Sequence, residues 1–365
     1  MQPNHDIKNT CSATRPERTW RRADHDLLRQ VVCIRRMAAD LAQADVRPQL
    51  RRQLFAAADM KAQLDRAKRL RGEAQKMVRA QLDHANSLGA WRAVALAPLP
   101  ATLERLHERF PNFGEVTSLV QRHLALCQRN PDRLLRLPPL LLIGEPGVGK
   151  TAYARQLALL LGAPMVDVTV SALSAGFSLA GLDASYESAK PGQIWHALNT
   201  ECMSPVVLLD EIDKPPRDDL AMLGSLYPLL ERHTARRFAD QALLLPVDAS
   251  FITWLATCNV VAEVEPALRS RFEIVRVEAP DLAQMPAVIA SVQREIIEES
   301  DWSAGFDHEL SDGVVSALTT LTPRELRRVL EGAYASAAQA GRNRITVEDV
   351  ARSPHQALRT IGFLQ

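Results

Sequence analysis

The sequence predicts an α/β fold, in which a parallel β-sheet covered by helices lies between an α-helical N-terminal domain and a C-terminal helical region. Short apolar runs alternate with helical stretches in the middle of the chain, as expected for strands buried on both faces. Before and after this region, apolar residues recur every three or four positions, which indicates helices. The five predicted strands are LLLIG (140–144), MVDVTV (165–170), PVVLLD (205–210), FITWLATCN (251–259) and EIVRVEA (273–279).

The first predicted domain, residues 1–98, is helical and basic. Its helical pattern extends from Ala23 to about Ala90 and indicates a long helix or a coiled-coil hairpin. The segment APLP (97–100) marks the boundary to the next domain. Residues 1–110 contain 21 Lys and Arg against 12 Asp and Glu, whereas the rest of the chain contains 23 against 31. The net charge of +1 therefore conceals a basic N-terminal third, which is typical of an interaction arm.

The basic side chains in this helical pattern allow two interpretations. One is an arm, residues 23–90, that binds a partner or the phosphates of a nucleic acid. The other is a solvated helix surface, which the scarcity of aromatic residues for base stacking favours. The basic residues are Arg51, Arg52, Lys61, Arg66, Lys68, Arg69, Arg71, Lys76 and Arg79.

The C-terminal region, residues 281–365, is predicted to be helical. Pro323 suits the first position of one of its helices, and Thr346 is a suitable N-cap for the last. The predicted helices are 281–299, 308–320, 323–340 and 346–352.

The composition disfavours several classes of protein. No apolar run approaches the roughly 20 residues that a membrane span needs, and the polar N-terminus does not resemble a secretory signal. The five cysteines are scattered and contain no C-x-x-C pair, so neither a zinc site nor a disulfide framework is indicated. We therefore expect a cytoplasmic protein without a membrane partner.

The strongest motif is GEPGVGKT, which matches the Walker A pattern G-x-x-x-x-G-K-[ST] and lies between a predicted strand and a predicted helix. Its glycines let backbone N–H groups approach phosphate oxygens closely. We expect Lys150 to reach the β- and γ-phosphates of ATP, and the hydroxyl of Thr151 to bind Mg²⁺. The residues of this nucleotide-binding motif are Gly144, Glu145, Pro146, Gly147, Val148, Gly149, Lys150 and Thr151.

A second motif, VVLLDEID (206–213), places acidic residues at the C-terminal end of a buried strand, where ligands bind in open α/β sheets. Asp210 is expected to hold Mg²⁺ directly or through water. Glu211 is expected to polarise the attacking water as a general base. The alternative is that the Asp–Glu pair only caps a helix, and the Walker A pattern that precedes the pair makes this interpretation much weaker.

Together the two motifs resemble those of the AAA+ ATPases. The stretch from Phe110 to about residue 350 looks most like the ATPase module of the Lon family. The segments that carry this resemblance are GLDASYESAKPGQI (181–194), FADQALLLPVD (238–248), LATCN (255–259) and PALRSRFEIV (266–275). The resemblance implies an AAA+ P-loop NTPase fold, with a nucleotide-binding large subdomain over 99–280 and a helical lid over 281–365.

The resemblance also implies roles for polar residues outside the two motifs. Asn259 looks like sensor 1, which would hydrogen-bond the γ-phosphate or the attacking water. Arg324, in LTPRELRRVL, looks like sensor 2, which would contact the γ-phosphate from the lid. We expect Arg327 and Arg328, which follow it, on the surface.

Arg271 resembles the family's arginine finger, which a subunit donates to its neighbour's nucleotide. A guanidinium there would stabilise the charge that spreads over the γ-phosphoryl group in the transition state. Arg269 is a second candidate, because the Lon segment usually has one arginine where this chain has two. A finger that acts on a neighbour requires an assembly, so the resemblance implies a ring-shaped homo-oligomer, a hexamer in this family.

Tyr186 matches the aromatic residue of the family's pore loop, which grips a threaded polypeptide. The family usually follows this tyrosine with an aliphatic residue, whereas Glu187 follows it here. The carboxylate would weaken a hydrophobic grip on an apolar chain. We expect no intrinsic proteolysis, since the Lon peptidase domain with its Ser–Lys pair is not recognisable in the sequence.

The sequence leaves three hypotheses about the function of the protein. The leading hypothesis is an ATP-hydrolysing, oligomeric remodeller or unfoldase that acts on a protein client. The alternative is a nucleic-acid-associated ATPase that uses the basic arm. A third is a scaffold that binds ATP without turnover, which the presence of Glu211 and Asn259 disfavours, since a scaffold needs neither residue.

Overall fold

The computed structural model describes residues 50–172, 177–186, 188–214 and 220–352. The predicted helical pattern before residue 50, Glu187 and the last residues of the predicted lid lie outside these ranges.

Nine strands lie within the described ranges, and five of them form the central sheet. All neighbours in this sheet are parallel, and the strands lie in the order 165–169, 206–210, 253–258, 140–143 and 273–276. These five strands are the five that the sequence predicts, with ends that agree to within a few residues. The strands are β1 (Arg51–Gln53), β2 (Trp91–Ala93), β3 (Leu140–Ile143), β4 (Met165–Thr169), β5 (Val206–Asp210), β6 (Phe238–Ala239), β7 (Pro246–Val247), β8 (Thr253–Cys258) and β9 (Glu273–Arg276).

Helices connect the strands and cover the sheet. The helices of the described residues are α1 (Ala57–Ala67), α2 (Gly72–Ser87), α3 (Glu104–Arg109), α4 (Gly114–Gln128), α5 (Lys150–Leu160), α6 (Phe177–Ala180), α7 (Gln193–Leu198), α8 (Leu220–Leu230), α9 (Arg232–Ala235), α10 (Pro266–Arg269), α11 (Met285–Glu299), α12 (Asp312–Leu318), α13 (Pro323–Gln339) and α14 (Val347–Arg352).

The two faces of the sheet contribute to different hydrophobic clusters. Successive side chains of a strand point to opposite faces, so alternate residues of one apolar run are buried in different clusters. One cluster contains Leu141, Ile143, Val207 and Leu209, and the other contains Leu140, Leu142, Val206 and Leu208. This two-sided burial explains why the strands are apolar throughout rather than alternating.

Between residues 50 and 95 the structure differs in part from the sequence pattern. Helices α1 and α2 lie in the region predicted to be helical, but the strands β1 and β2 before and after them pair antiparallel and were not predicted. Leu54, Leu82 and Val94 belong to the same hydrophobic cluster as one face of the central sheet. A domain boundary near residue 98 remains a prediction.

Helices α11 to α14 share a hydrophobic cluster of their own. Pro323 occupies the first turn of α13, as predicted. The hydroxyl of Thr322 and the carboxylate of Glu325 form a reciprocal capping box there. Helix α11 begins at Met285 rather than at 281, because Asp281 accepts a hydrogen bond from the backbone of Gln284 (2.8 Å) and so forms a turn before the helix.

Among the described residues, no helix is both long enough and apolar enough to cross a membrane. The described cysteines, Cys127, Cys202 and Cys258, are free thiols.

Candidate nucleotide-binding site

The GEPGVGKT segment forms a loop between the end of β3 and the start of α5. Helix α5 begins at Lys150, and the residue before it, Gly149, has φ of 104°, a left-handed conformation that costs glycine little. The loop therefore turns tightly and presents the N-terminus of α5 to the C-terminal edge of the sheet. A helix N-terminus in this position favours the binding of an anion such as phosphate.

A cavity of about 500 Å³ lies beside this loop. Its walls come from residues 146–151, from the C-terminal ends of β5 and β8, and from helices α11 and α13. Six of the predicted site residues line it, namely Lys150, Thr151, Asp210, Glu211, Asn259 and Arg324. Four further motif residues, Pro146, Gly147, Val148 and Gly149, also line it. The fold thus brings together residues that are far apart in the sequence.

Lys150 lies at the centre of a hydrogen-bond network. Its amino group donates to the carbonyls of Gly144 (2.6 Å) and Glu145 (3.1 Å), and to Oδ1 of Asn259 (3.0 Å). Burial lowers the pKa of Lys150, and the nearby Asp210 opposes that effect. The ammonium group is thus held at the cavity wall, together with the predicted sensor residue from the end of β8.

Asp210 ends β5 and accepts hydrogen bonds from two hydroxyl groups. The Thr151 hydroxyl donates to its carboxylate oxygens at 3.3 and 3.2 Å, and the Thr257 hydroxyl donates to the same carboxylate. Hydroxyl and carboxylate oxygens are the hard ligands that Mg²⁺ prefers, together with substrate phosphates. The donor set therefore fits the predicted Mg²⁺, with Thr151 and Asp210 as the residues that would hold it.

Glu211 follows directly and has an unusual backbone. Its φ of 57° is left-handed, a conformation that costs a non-glycine residue about 1 kcal/mol or more. Its backbone N–H donates to Thr257 Oγ1 at 3.1 Å, which helps to hold this geometry. Its carboxylate accepts hydrogen bonds from Lys214 (2.9 Å) and Ser171 (2.8 Å), and these bonds hold its pKa below the ordinary value. Glu211 is thus ionised at neutral pH, as a general base must be.

Two residues that the sequence analysis did not select support this edge of the sheet. Thr257 contacts both Asp210 and the backbone of Glu211. The buried carboxylate of Asp213 accepts hydrogen bonds from the backbone N–H groups of Asn259 (2.9 Å) and Val260 (3.0 Å). Asp213 could have been found as the last acidic residue of VVLLDEID, whereas Thr257 carries no signal in the sequence apart from its place on β8.

Helix α13 brings three arginines to the cavity. Arg324 packs closely against the loop. A Cβ atom added at Gly147 would be only 3.2 Å from the Cβ of Arg324. Arg327 and Arg328 also line the cavity. Arg328 is exposed, as expected from the sequence, and Arg327 is half-buried. Arg327 forms ion pairs with Glu299 and with Glu331 (3.2 Å).

Residues before β3 complete the cavity wall. Phe110 and Asn112 line the cavity, and the amide of Asn112 donates to the carbonyl of Glu278 at 3.1 Å. Phe113 is buried and stacks on Tyr153, with ring centroids 4.4 Å apart. Neither Phe110 nor Asn112 was predicted as a site residue from the sequence.

Five predicted site residues do not line this cavity: Gly144, Glu145, Arg269, Arg271 and Tyr186. The guanidinium of Arg271 pairs with Glu231 at 2.7 Å and lies over the ring of Tyr227. Arg269 donates to the carbonyl of Val261 at 3.4 Å. Tyr186 is 60% exposed.

The chain is similar to known proteins over the region that forms this site. The family model "ATPase family associated with various cellular activities (AAA)" matches residues 140–278. A peroxisomal Lon protease homolog 2 of Caenorhabditis elegans is 33% identical over 49% of this chain and 23% of its own length. A Lon protease of Chloroflexus aurantiacus is 36% identical over 47% of this chain and 21% of its own length. The chain thus spans between a fifth and a quarter of the length of these relatives.

Among solved structures, a closed-state cryo-EM reconstruction of Hsp104 with ATPγS and FITC-casein covers 66% of this chain, and the match covers 47% of that chain. The TM-score is 0.54 and the sequence identity is 18%, so this likeness supports the fold alone. The sequence relatives and the fold agree on one conclusion. The chain carries an AAA-family ATPase domain of the AAA+ P-loop fold, and this domain is related to the ATPase region of the Lon proteases.

Proposed function

We propose that the protein is a Mg²⁺-dependent ATPase that works as a ring-shaped oligomer, a hexamer as in the family it resembles, and remodels or unfolds a protein client. The observation that carries the hydrolytic part is the convergence of Lys150, Thr151, Asp210, Glu211 and Asn259 on one cavity. Separate elements supply an ammonium group, hard oxygen ligands, a carboxylate base and a polar sensor.

Each of these groups has a task in the proposed reaction. The N-terminus of α5 and the ammonium of Lys150 would bind the phosphates of ATP. Mg²⁺ bound by Thr151 and Asp210 would neutralise phosphate charge. Glu211 would accept the proton of the attacking water, and its ionised state fits that task. Asn259 and Arg324 would contact the terminal phosphate from β8 and from the lid.

The placement of Arg271 supports the oligomeric part of the proposal. Arg271 lies outside the cavity of its own chain, so it cannot act there as it stands. A neighbouring subunit would have to bring its own Arg271 to the cavity, as a trans-acting finger does. Arg269 stays the second candidate for this task.

The loop that carries Tyr186 supports a polypeptide client. Its aromatic side chain is exposed although most large apolar residues of the described chain are buried. An exposed tyrosine can contact an unfolded chain through its ring and its hydroxyl. Glu187 beside it would favour clients that are not uniformly apolar.

The basic residues of the N-terminal region give little support to the nucleic-acid alternative. Five of the nine have partners within the chain, which leaves fewer cations for phosphates. The pairs are Arg52 with Asp132, Arg66 with two backbone carbonyls, Lys68 with Asp65, Lys76 with Glu73 and Arg79 with Asp83.

A trapping experiment tests the proposed function. The Glu211→Gln variant, which should bind ATP and turn it over slowly, is tagged, incubated with cell extract and ATP, and recovered with and without nuclease. We expect protein clients that are retained after nuclease and absent with Lys150→Ala, the matched variant that should not hold ATP. Recovery of nucleic acid alone, or of material that the nuclease removes, would favour the alternative. Sedimentation of the trapped protein tests the ring, and a monomer in ATP would contradict it.

A further inference from the structure

The loop that carries Tyr186 is closed at its base. The backbone N–H of Leu182 donates to the carbonyl of Lys190 at 2.9 Å, so the loop leaves and rejoins the domain at one place. Gly181 precedes this closure and Gly192 follows it. The exposed tyrosine is therefore at the tip of a hairpin whose direction depends on how its two ends are held.

Both ends of the loop contact the side chain of Asp240, the residue that follows β6. Its carboxylate is fully buried and accepts hydrogen bonds from the backbone N–H of Gly192 at 2.7 Å and of Ala242 at 2.9 Å. The next residue, Gln241, donates its backbone N–H to the carbonyl of Ala180 at 2.7 Å. One short segment therefore bonds to the chain on both sides of the loop.

The contact is too close for any residue but glycine at the loop's ends. A Cβ atom at Gly181 would lie 2.4 Å from Oδ1 of Asp240, and one at Gly192 would lie 2.1 Å from the carbonyl oxygen of Leu179. Gly181 also has φ of 88°, which other residues rarely adopt. The missing side chain thus lets Gly181 pack against the carboxylate, and it lets Gly192 pack against the backbone at the other end of the loop.

Helices α1 and α2 form hydrogen bonds to the segments next to the loop's ends. The guanidinium of Arg66 donates to the carbonyls of Ala242 (2.8 Å) and Leu243 (3.0 Å), in the turn that Asp240 begins. On α2, the side-chain oxygen of Gln81 accepts a hydrogen bond from the indole of Trp195 at 2.9 Å. Trp195 lies on α7, which starts directly after the loop.

From these contacts we infer that Asp240 is a positioning residue that fixes both ends of the Tyr186 loop and so sets where the tyrosine points. A carboxylate suits this place because each of its oxygens can accept from one N–H group. An asparagine has one acceptor oxygen only, and its amide group would face the second N–H donor. The significance of the loop for a polypeptide rests on the proposed function, but its anchoring by Asp240 does not.

Hydrogen exchange measured by mass spectrometry tests the anchor in the full chain. In Asp240→Asn we expect backbone exchange in the 181–192 peptide to be about tenfold faster than in the wild type, since a buried hydrogen bond is lost. Peptides from β3 and β5 should exchange as before. Asp248→Asn is the matched control. Its carboxylate accepts one backbone bond, from Ser250 at 2.9 Å, and that bond does not involve the loop.

Binding of fluorescein-labelled casein, an unfolded polypeptide, gives the functional readout. Asp240→Asn should weaken casein binding severalfold and keep the basal rate of ATP hydrolysis. Unchanged exchange in the loop, or equally faster exchange in β3 and β5, would overturn the inference. If Asp240→Asn does not fold, Arg66→Met provides the second variant, and it should raise exchange in the same peptide alone. Failure of the wild type to bind casein would count against the proposed client and leave the exchange result to judge the anchor.

Discussion

The amino group of Lys150 lies 3.0 Å from Oδ1 of Asn259, and this contact joins the loop after β3 to the end of β8. The two strands are neighbours in the sheet, so their C-terminal ends necessarily meet. A bound phosphate would compete with Asn259 and the loop carbonyls for the ammonium group. The contact therefore offers a way for the predicted sensor to respond to the presence of nucleotide.

Replacement of Lys150 by Ala should weaken ATP binding by about 100-fold, since charge-assisted hydrogen bonds in a partly buried site are lost. Titration with a fluorescent ATP analogue measures the affinity. Lys61→Ala is the control, because Lys61 is an exposed lysine of α1. Equal affinity in both variants would remove Lys150 from the site.

Replacement of Glu211 by Gln should slow ATP hydrolysis by about 10² to 10⁴-fold, the range for loss of a general base. ATP affinity should change little, because the shape of the side chain is kept. Steady-state phosphate release and nucleotide titration give the two quantities. Glu263→Gln, an exposed change away from the cavity, should have neither effect. Hydrolysis at the wild-type rate would show that another group is the base.

Replacement of Thr257 by Val keeps the shape of a buried residue and removes its hydroxyl. Asp210 then loses a donor, and the backbone of Glu211 loses its acceptor. We expect hydrolysis to fall by about 10 to 100-fold and to require more Mg²⁺, as found when groups that orient metal ligands are removed. The Mg²⁺ dependence of phosphate release measures both effects. Thr253→Val, a buried change on the same strand, separates the role of the hydroxyl from a packing effect, and equal losses in both would argue for packing alone.

Replacement of Arg271 by Ala should abolish turnover and spare ATP binding, if this residue acts on a neighbour. Mixing Arg271→Ala with Glu211→Gln protein should then restore part of the activity, because some interfaces combine an intact base with an intact finger. Arg276→Ala, an exposed arginine of β9, is the control. Absence of recovery at every mixing ratio would contradict the trans arrangement.

The pH dependence of the stability should show that the carboxyl group of Asp240 is buried. Burial raises the pKa of this carboxyl to about 6, from an ordinary value of 3.8. Because the folded chain holds the proton more tightly, the contribution of Asp240 to stability is greatest below pH 4 and is lost as the pH rises through about 6. The wild type should therefore lose stability relative to Asp240→Asn between pH 4 and 6, by an amount on the order of 3 kcal/mol, and the difference should be constant above pH 7. Thermal melts of the wild type and of Asp240→Asn, paired at each pH, measure this difference in stability. A difference that does not change with pH would show that the carboxyl group is exposed to water.

The sequence predicted the five central strands and the phosphate loop because their signals are local. An apolar run that is buried on both faces and a loop pattern followed by a helix are complete within a few consecutive residues. The strands β1 and β2 were missed because three-residue edge strands that flank a strong helical pattern have no period of their own. Arg328 is exposed, as expected for a charged residue on an amphipathic helix, but only the packing of α13 shows that Arg327 and Arg328 also line the cavity.

The five central strands and the residues of the nucleotide motifs can be read from the sequence alone, because both depend on neighbours along the chain. Which distant residues come into contact depends on the folded arrangement of the elements. Ser171 contacts Glu211, Glu231 holds Arg271, and Asp240 bonds to Gly192. Each of these pairs joins residues from different elements. Their contact depends on how the sheet and its helices pack, and this packing cannot be predicted from the spacing of residues along the sequence.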